Sequence, residues 1–142
     1  MNTEDIRQMI KKHEGCVLEV YNDTEGIPTV GYGHALLPGS KITLLVADIL
    51  FNYDYETAVQ DYNRFCAKYN ISVNYTRKSV LINMFFIGYS RVCGFKKMVA
   101  ALQRADYSTA AMEMLDSKWA NKQAKGRAYE LARIMEKGEV IE

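Results

Sequence analysis

Glu14, Asp23 and Thr29 are the residues of this chain whose types and spacing could do chemistry. Cutting a glycosidic link by inversion needs one carboxyl group to protonate the leaving oxygen. A second, on the opposite face and about 6.5–9.5 Å away, activates a water. Glu14 and Asp23 stand nine positions apart (23 − 14), roughly 30 Å of extended chain and much less once the chain folds back on itself. The spacing therefore permits the geometry without requiring it. At a helix end beneath a hairpin, lining a cleft, Glu14 is expected to be partly desolvated, which would raise its pKa and keep it protonated as a donor. Asp23, in an exposed turn, is expected to stay ionised. Thr29 offers a hydroxyl able to hold a water between itself and Asp23. Residue types alone leave a plainer reading open, in which Glu14 is a surface helix acid and Asp23 a turn former satisfying its own backbone.

The elements that would position these groups are legible in the patterning. Thr3 can cap a first helix with Ile6, Met9, Ile10 and His13 on one stripe, and Gly15 offers a left-handed stop. A carboxylate at position 14 opposes the dipole of that helix, and a broken local rule draws attention to the site. Val17–Tyr21, the turn formers Asn22–Gly26 and a second run Ile27–Tyr32 spell a hairpin, with Pro28 confining the second strand to an edge or to a start at that residue. Leu37-Pro38-Gly39-Ser40 is a loop. Thr43 can then cap a long helix reaching Tyr69, with Leu44, Ala47, Leu50, Ala58, Tyr62 and Phe65 as apolar positions.

The segment Val80–Ile87 is apolar on every side and predicts a buried central helix ending at Gly88. Amphipathic stretches follow with Phe95, Met98, Val99 and Leu102, and then Ala111, Met112, Leu115 and Trp119. A last helix carries Ala128, Leu131, Ala132 and Met135, with Gly138 as its cap. The expected fold is α+β, mainly α, and two-lobed, over a single domain spanning 1–142. A small helix and hairpin lobe (about 12–42) is joined by a linking helix (about 43–69) to a helical lobe (about 70–142) that also takes in the N-terminal helix. A cleft between lobes is a natural ligand site.

Composition narrows the function classes. A chain of 142 residues can bury a core without disulfide or metal support. Cys16, Cys66 and Cys93 form an odd set without paired spacing, which suits reduced thiols serving as small buried hydrophobes, with no metal site and no cofactor. A formal charge of +1 without a basic block speaks against nucleic-acid binding, and no stretch reaches the roughly 20 apolar residues of a membrane span. The acidic, polar start lacks the features of a secretory signal, so the expected location is the cytoplasm that makes the protein, as a monomer.

The stretch His13–His34 resembles the signature of phage endolysins related to the lysozymes of the T-even bacteriophages, glycoside hydrolase family twenty-four. A Glu-Gly closes the first helix, followed by Tyr-x-Asp-x-x-Gly, a Thr, and Gly-x-Gly-His. Glu14, Gly15, Tyr21, Asp23, Gly26, Thr29, Gly31, Gly33 and His34 fall on that pattern in register. The resemblance continues more loosely through Leu81-Ile82-Asn83-Met84, Phe86, Gly88, Gly94-Phe95, Trp119 and Gly126-Arg127-Ala128. It implies a lysozyme-like fold and hydrolysis of the β-1,4 bond between N-acetylmuramic acid and N-acetylglucosamine in peptidoglycan. Glu14 would be the acid, with Asp23 and Thr29 positioning water. It further implies that Arg127 approaches Glu14 and that His34 braces the hairpin, while Ala35 and Phe86 are the candidate sugar contacts. A holin would release such an endolysin from the host cytoplasm to the periplasm and wall.

The chain departs from the family where Ile87 follows Phe86, in place of an amide side chain. It departs again where Met98 and Glu113 stand at positions that carry serine and asparagine in T-even relatives. Two alternatives remain: a lytic transglycosylase, which has no need of a positioned water, and a non-catalytic glycan-binding relative.

Overall fold

The computed structural model describes residues 2–122 and 125–140. The chain forms two compact units, Met1–Leu44 and Leu45–Glu142.

The first unit opens with helix α1, Thr3–Glu14. Its cap is Asn2 and not Thr3. The Asn2 side chain accepts from the Asp5 N–H at 2.9 Å while the Asp5 carboxylate accepts from the Asn2 N–H at 3.0 Å. Asn2 wins because an acid three residues on reciprocates its bond, whereas Thr3 continues the helix. Gly15 closes α1 by donating its N–H to the Lys11 carbonyl. The predicted apolar stripe is present but not inward: Ile6, Met9 and Ile10 are exposed, and no residue of α1 is buried.

Three antiparallel strands follow in the order β1 (Val17–Asn22), β2 (Pro28–Gly31), β3 (His34–Ala35). The run expected to continue to Tyr32 is cut by a turn at Tyr32-Gly33, and the chain returns as the short β3, with Thr29 opposite Ala35 and Val30 opposite His34. Pro28 starts its strand, as one of the two permitted positions required, although β2 is the central strand and not an edge. The predicted loop is closed by the Ser40 N–H on the Leu37 carbonyl at 3.0 Å.

Helix α2, Leu44–Tyr69, falls in the second unit except for its first residue. Only its C-terminal half is cored. Ala58, Tyr62 and Phe65 are buried as expected, but Leu44 and Leu50 are 77% and 52% exposed. Helix α3 (Tyr75–Phe85) is the buried centre that its composition demanded, with Val80, Leu81, Ile82, Met84 and Phe85 all enclosed. Its cap is Asn74, accepting from the Arg77 N–H. A short α4 (Tyr89–Cys93), not anticipated, precedes α5 (Lys96–Gln103) and α6 (Tyr107–Leu115).

The stripe proposed through Met112 and Trp119 is corrected. The inward face of α6 is Ala110, Ala111 and Met114, and Met112 is 65% exposed. The helix stops at Asp116, and Trp119 is buried from the separate α7 (Lys118–Lys122). The last helix, α8 (Lys125–Lys137), buries Ala128, Ala132 and Met135.

Arg77 fastens the end of α8. Its Nε donates to the Met135 carbonyl at 2.6 Å, its Nη2 donates to the Glu136 carbonyl at 2.8 Å, and its guanidinium lies 3.6 Å from the Tyr107 ring centre. These are carbonyls that a helix terminus leaves unsatisfied. Cys66 and Cys93 are half-buried against the core, while Cys16 is exposed, contrary to its reading as a buried hydrophobe. No helix among the described residues is long and apolar enough to cross a membrane.

Candidate active site

Glu14 is the last residue of α1, and its carboxylate rests against the β2–β3 turn. A Cβ placed on Gly33 would fall 2.7 Å from Glu14 Oε2, so a side chain here would push the carboxylate aside. Gly33 also takes a φ of +73°, which side chains rarely adopt. One turn earlier on the same helix, the Lys11 ammonium lies 5.2 Å from the Tyr32 ring centre. Positions 11 and 14 share a helix face, and both meet the same two-residue turn. Glu14 itself is exposed, so the burial expected to desolvate it is absent from this structure.

Asp23 is half-buried and does two things at once. Its Oδ1 accepts the Glu25 N–H at 2.8 Å and the Ile27 N–H at 2.9 Å, which fixes the carboxylate on the turn. Its backbone N–H donates to the Ile27 carbonyl at 2.9 Å, extending the ladder one step past β1. This is the local turn role that residue type alone allowed, but it occupies only one carboxylate oxygen. Oδ2 has no hydrogen-bond partner among the described residues.

Thr29 is the only buried residue among those described in the first unit, at 4% exposure. Its hydroxyl donates to the Ile27 carbonyl at 2.8 Å and so faces any further partner with lone pairs only. Thr29 pairs with Tyr21 across the ladder, and Asp23 follows Tyr21 by two residues. Asp23 lies one residue past the end of β1, which makes it a diagonal neighbour of Thr29 across the ladder, roughly 7–8 Å away at the backbone.

Of the remaining candidates, His34 sits exposed in β3 opposite Val30, and Ala35 is half-buried opposite Thr29. Arg127, in α8, donates from Nη2 to Asn83 Oδ1 at 2.9 Å and is exposed. Phe86 caps α3 and is 47% exposed, stacked on Phe51 with ring centres 6.0 Å apart, so it is not a core aromatic. Met98 is fully buried and unavailable to a sugar, whereas Glu113 is half-buried and lines a cavity of about 380 Å³ with Lys96, Lys97 and Asp116. The residue that sequence reasoning left without a role is Gly33, and its only signal was the glycine doublet before His34.

An α-helix ending in an acid against a three-stranded antiparallel sheet, followed by a mainly helical unit, is a lysozyme-like α+β architecture. The chain belongs to the phage lysozyme family, whose model matches residues 11–134. It is 31% identical over 156 residues to the pre-baseplate central spike protein Gp5 of Enterobacteria phage T4, covering 90% of this chain and 27% of that protein. It is 30% identical over 161 residues to probable T4-type lysozyme 1 of Dictyostelium discoideum, covering 94% of each chain. With probable T4-type lysozyme 2 of the same organism it shares 28% identity over 166 residues, covering 96% of each. The chain thus spans about a quarter of the spike protein's length and nearly all of the two lysozymes.

Proposed function

We propose that the protein hydrolyses the β-1,4 bond between N-acetylmuramic acid and N-acetylglucosamine in peptidoglycan. Glu14 protonates the leaving oxygen, and Asp23 with Thr29 holds the attacking water. Membership of the phage lysozyme family supports a lysozyme-like peptidoglycan hydrolase.

The observation that carries the finer reading is the state of the two acceptors. Asp23 Oδ1 is anchored by two backbone N–H groups and Oδ2 is open, while the only hydroxyl proton of Thr29 is committed to Ile27. A water between them can give a hydrogen to each. Its lone pair is then turned outward as a nucleophile, and Asp23 is ready to take up the proton released on attack. A transglycosylase needs no such arrangement, because the sugar's own hydroxyl attacks.

Glu14→Gln is expected to lower clearing of a peptidoglycan suspension roughly 10²–10⁴-fold, the usual worth of a general acid, with circular dichroism unchanged. Equal clearing by the two proteins would remove Glu14 from the mechanism. Thr29→Val keeps the shape but deletes the acceptor and should slow turnover, whereas Thr29→Ser should retain most of it. Mass spectrometry of the released muropeptides must show water incorporated at the new reducing end; 1,6-anhydro ends would assign transglycosylase chemistry instead.

The same proposal includes a role as an endolysin acting as a monomer, released from the host bacterial cytoplasm to the wall through a holin. Periplasmic protein in cells that lack a holin and have not lysed would contradict that release route.

A further inference from the structure

Helices α2 and α3 enclose a groove of about 180 Å³ lined by Tyr55, Val59, Tyr75, Lys78, Ser79 and Ile82. Its volume is below the roughly 300–1,000 Å³ of pockets that enclose a whole small ligand, so it suits one unit of a polymer and not a free metabolite. The two tyrosines at its mouth are solvent-facing, Tyr75 at 81% exposure and Tyr55 at 43%.

Lys78 is half-buried, with its ammonium 5.5 Å from the Tyr62 ring centre and 5.9 Å from that of Tyr75. It forms no ion pair among the described residues, and no acid lines the groove. Burial pushes the Cys66 thiol up, and the charge of Lys78 offsets part of that rise. A half-buried ammonium without a carboxylate partner is free to donate to an oxygen of a bound ligand.

The groove is also the end of an aromatic row. Phe86 stacks on Phe51 at 6.0 Å and Phe51 on Tyr55 at 6.2 Å. All three rings are at least 43% exposed. Phe51 and Tyr55 lie four residues apart on α2, one above the other on a single helix face. The row therefore runs from Phe86, the candidate sugar contact of this unit, to the mouth of the groove.

From this juxtaposition we infer that the α2–α3 groove is a second glycan-binding site, gripping one muramic-acid unit of a peptidoglycan strand. The apolar C–H face of a pyranose lies on Tyr55 or Tyr75, the Tyr hydroxyls and Ser79 meet its polar rim, and Lys78 donates to the lactyl group of a muramic acid, to its amide carbonyl where a stem peptide is attached and to its free carboxylate where the stem is gone. The inference rests on peptidoglycan being the substrate, but not on Glu14 being the acid.

The test uses the full chain carrying Glu14→Gln, so that binding is read without turnover. Retention on insoluble sacculi is measured by sedimentation for this protein and for the same protein with Tyr75→Ala or Lys78→Met added. Each added change is expected to weaken retention roughly tenfold, the cost of losing one anchoring side chain, with circular dichroism unchanged. Retention equal to that of the parent in both variants overturns the site.

A parallel arm uses sacculi stripped of peptide stems by an amidase. Tyr75→Ala must weaken binding there as well; loss of the Tyr75 effect on stripped glycan would assign the groove to the peptide and overturn a glycan site. Should Glu14→Gln prove fully active in clearing, the catalytic reading fails. The Tyr75 and Lys78 comparisons are then repeated on a protein inhibited by cold and remain decisive for the groove.

Discussion

The two units of this molecule solve opposite problems. The first, Met1–Leu44, carries Glu14, Asp23 and Thr29 yet buries a single described residue, Thr29. The second, Leu45–Glu142, holds the continuous core from Ala58 to Met135. A segment of that small size cannot bury enough apolar surface to be held by packing. Its shape comes instead from directional devices: the Asn2–Asp5 capping box, the Asp23 turn and the seat of Glu14 against Gly33. Hydrogen bonds and glycine conformations fix angles and distances, which is what proton transfer needs, whereas a core supplies stability and tolerates small adjustments. Changes in the first unit should therefore alter rate with little effect on melting, and changes in the second the reverse.

The largest expected contrast sets Glu14→Gln against Met84→Ala. The former should leave the thermal midpoint where it is while activity collapses. The latter empties a fully buried site and should lower stability by about 2–5 kcal/mol in denaturant titrations. A drop in midpoint for Glu14→Gln comparable to that of Met84→Ala would erase the distinction between the units.

Gly33→Ala comes next. Its new Cβ would stand 2.7 Å from Glu14 Oε2, at a φ of +73°. Displacing the acid by an ångström can cost roughly 10²-fold in rate, with about 1 kcal/mol of backbone strain. Steady-state clearing assays beside thermal melts separate the two effects, and an unchanged rate would show that the seat on Gly33 does not matter.

Arg77→Ala removes the two bonds to the Met135 and Glu136 carbonyls and the contact with Tyr107. A loss of about 1–2 kcal/mol is expected, with kcat kept.

The smallest effect is a pH dependence. The Thr109 hydroxyl and backbone N–H hold the Asp106 carboxyl below its ordinary value, with Arg104 adding to the same effect. A depressed folded pKa contributes stability that is present above the unfolded value and is lost as pH falls through the folded one, so from about pH 4 downward. Asp106→Asn should flatten that part of the stability–pH curve, and a curve that stays parallel to wild type would dismiss the cap as its origin.

The larger elements were well marked in the chain, whereas element boundaries and the short β3, α4 and α7 were not. The hairpin, the loop at Leu37–Ser40 and the buried α3 all follow from turn chemistry and apolar runs, which are local properties. The misreadings were competitions that local rules could not rank. Asn2 displaced Thr3 as cap because Asp5 answered it. Met112 looked inward by spacing, but the helix presents Ala110, Ala111 and Met114 to its neighbours instead. The candidate site residues stood out through their register on a known signature, yet their bonding did not. The commitment of Asp23 Oδ1 and of the Thr29 proton, and the exposure of Glu14, depend on where the turn folds.

The order of residues by itself determined that an acid would end a helix, that an aspartate would begin a tight turn and that a threonine would stand on the returning strand. It also determined the family, because those choices recur at fixed spacing. Only the folded chain decided which oxygen of Asp23 stays open, that Gly33 makes room for Glu14, and that Phe86, Phe51 and Tyr55 line up towards a groove. Spacing along a backbone sets which residues can share a turn or a face, while contacts between distant segments arise only when packing brings those faces together.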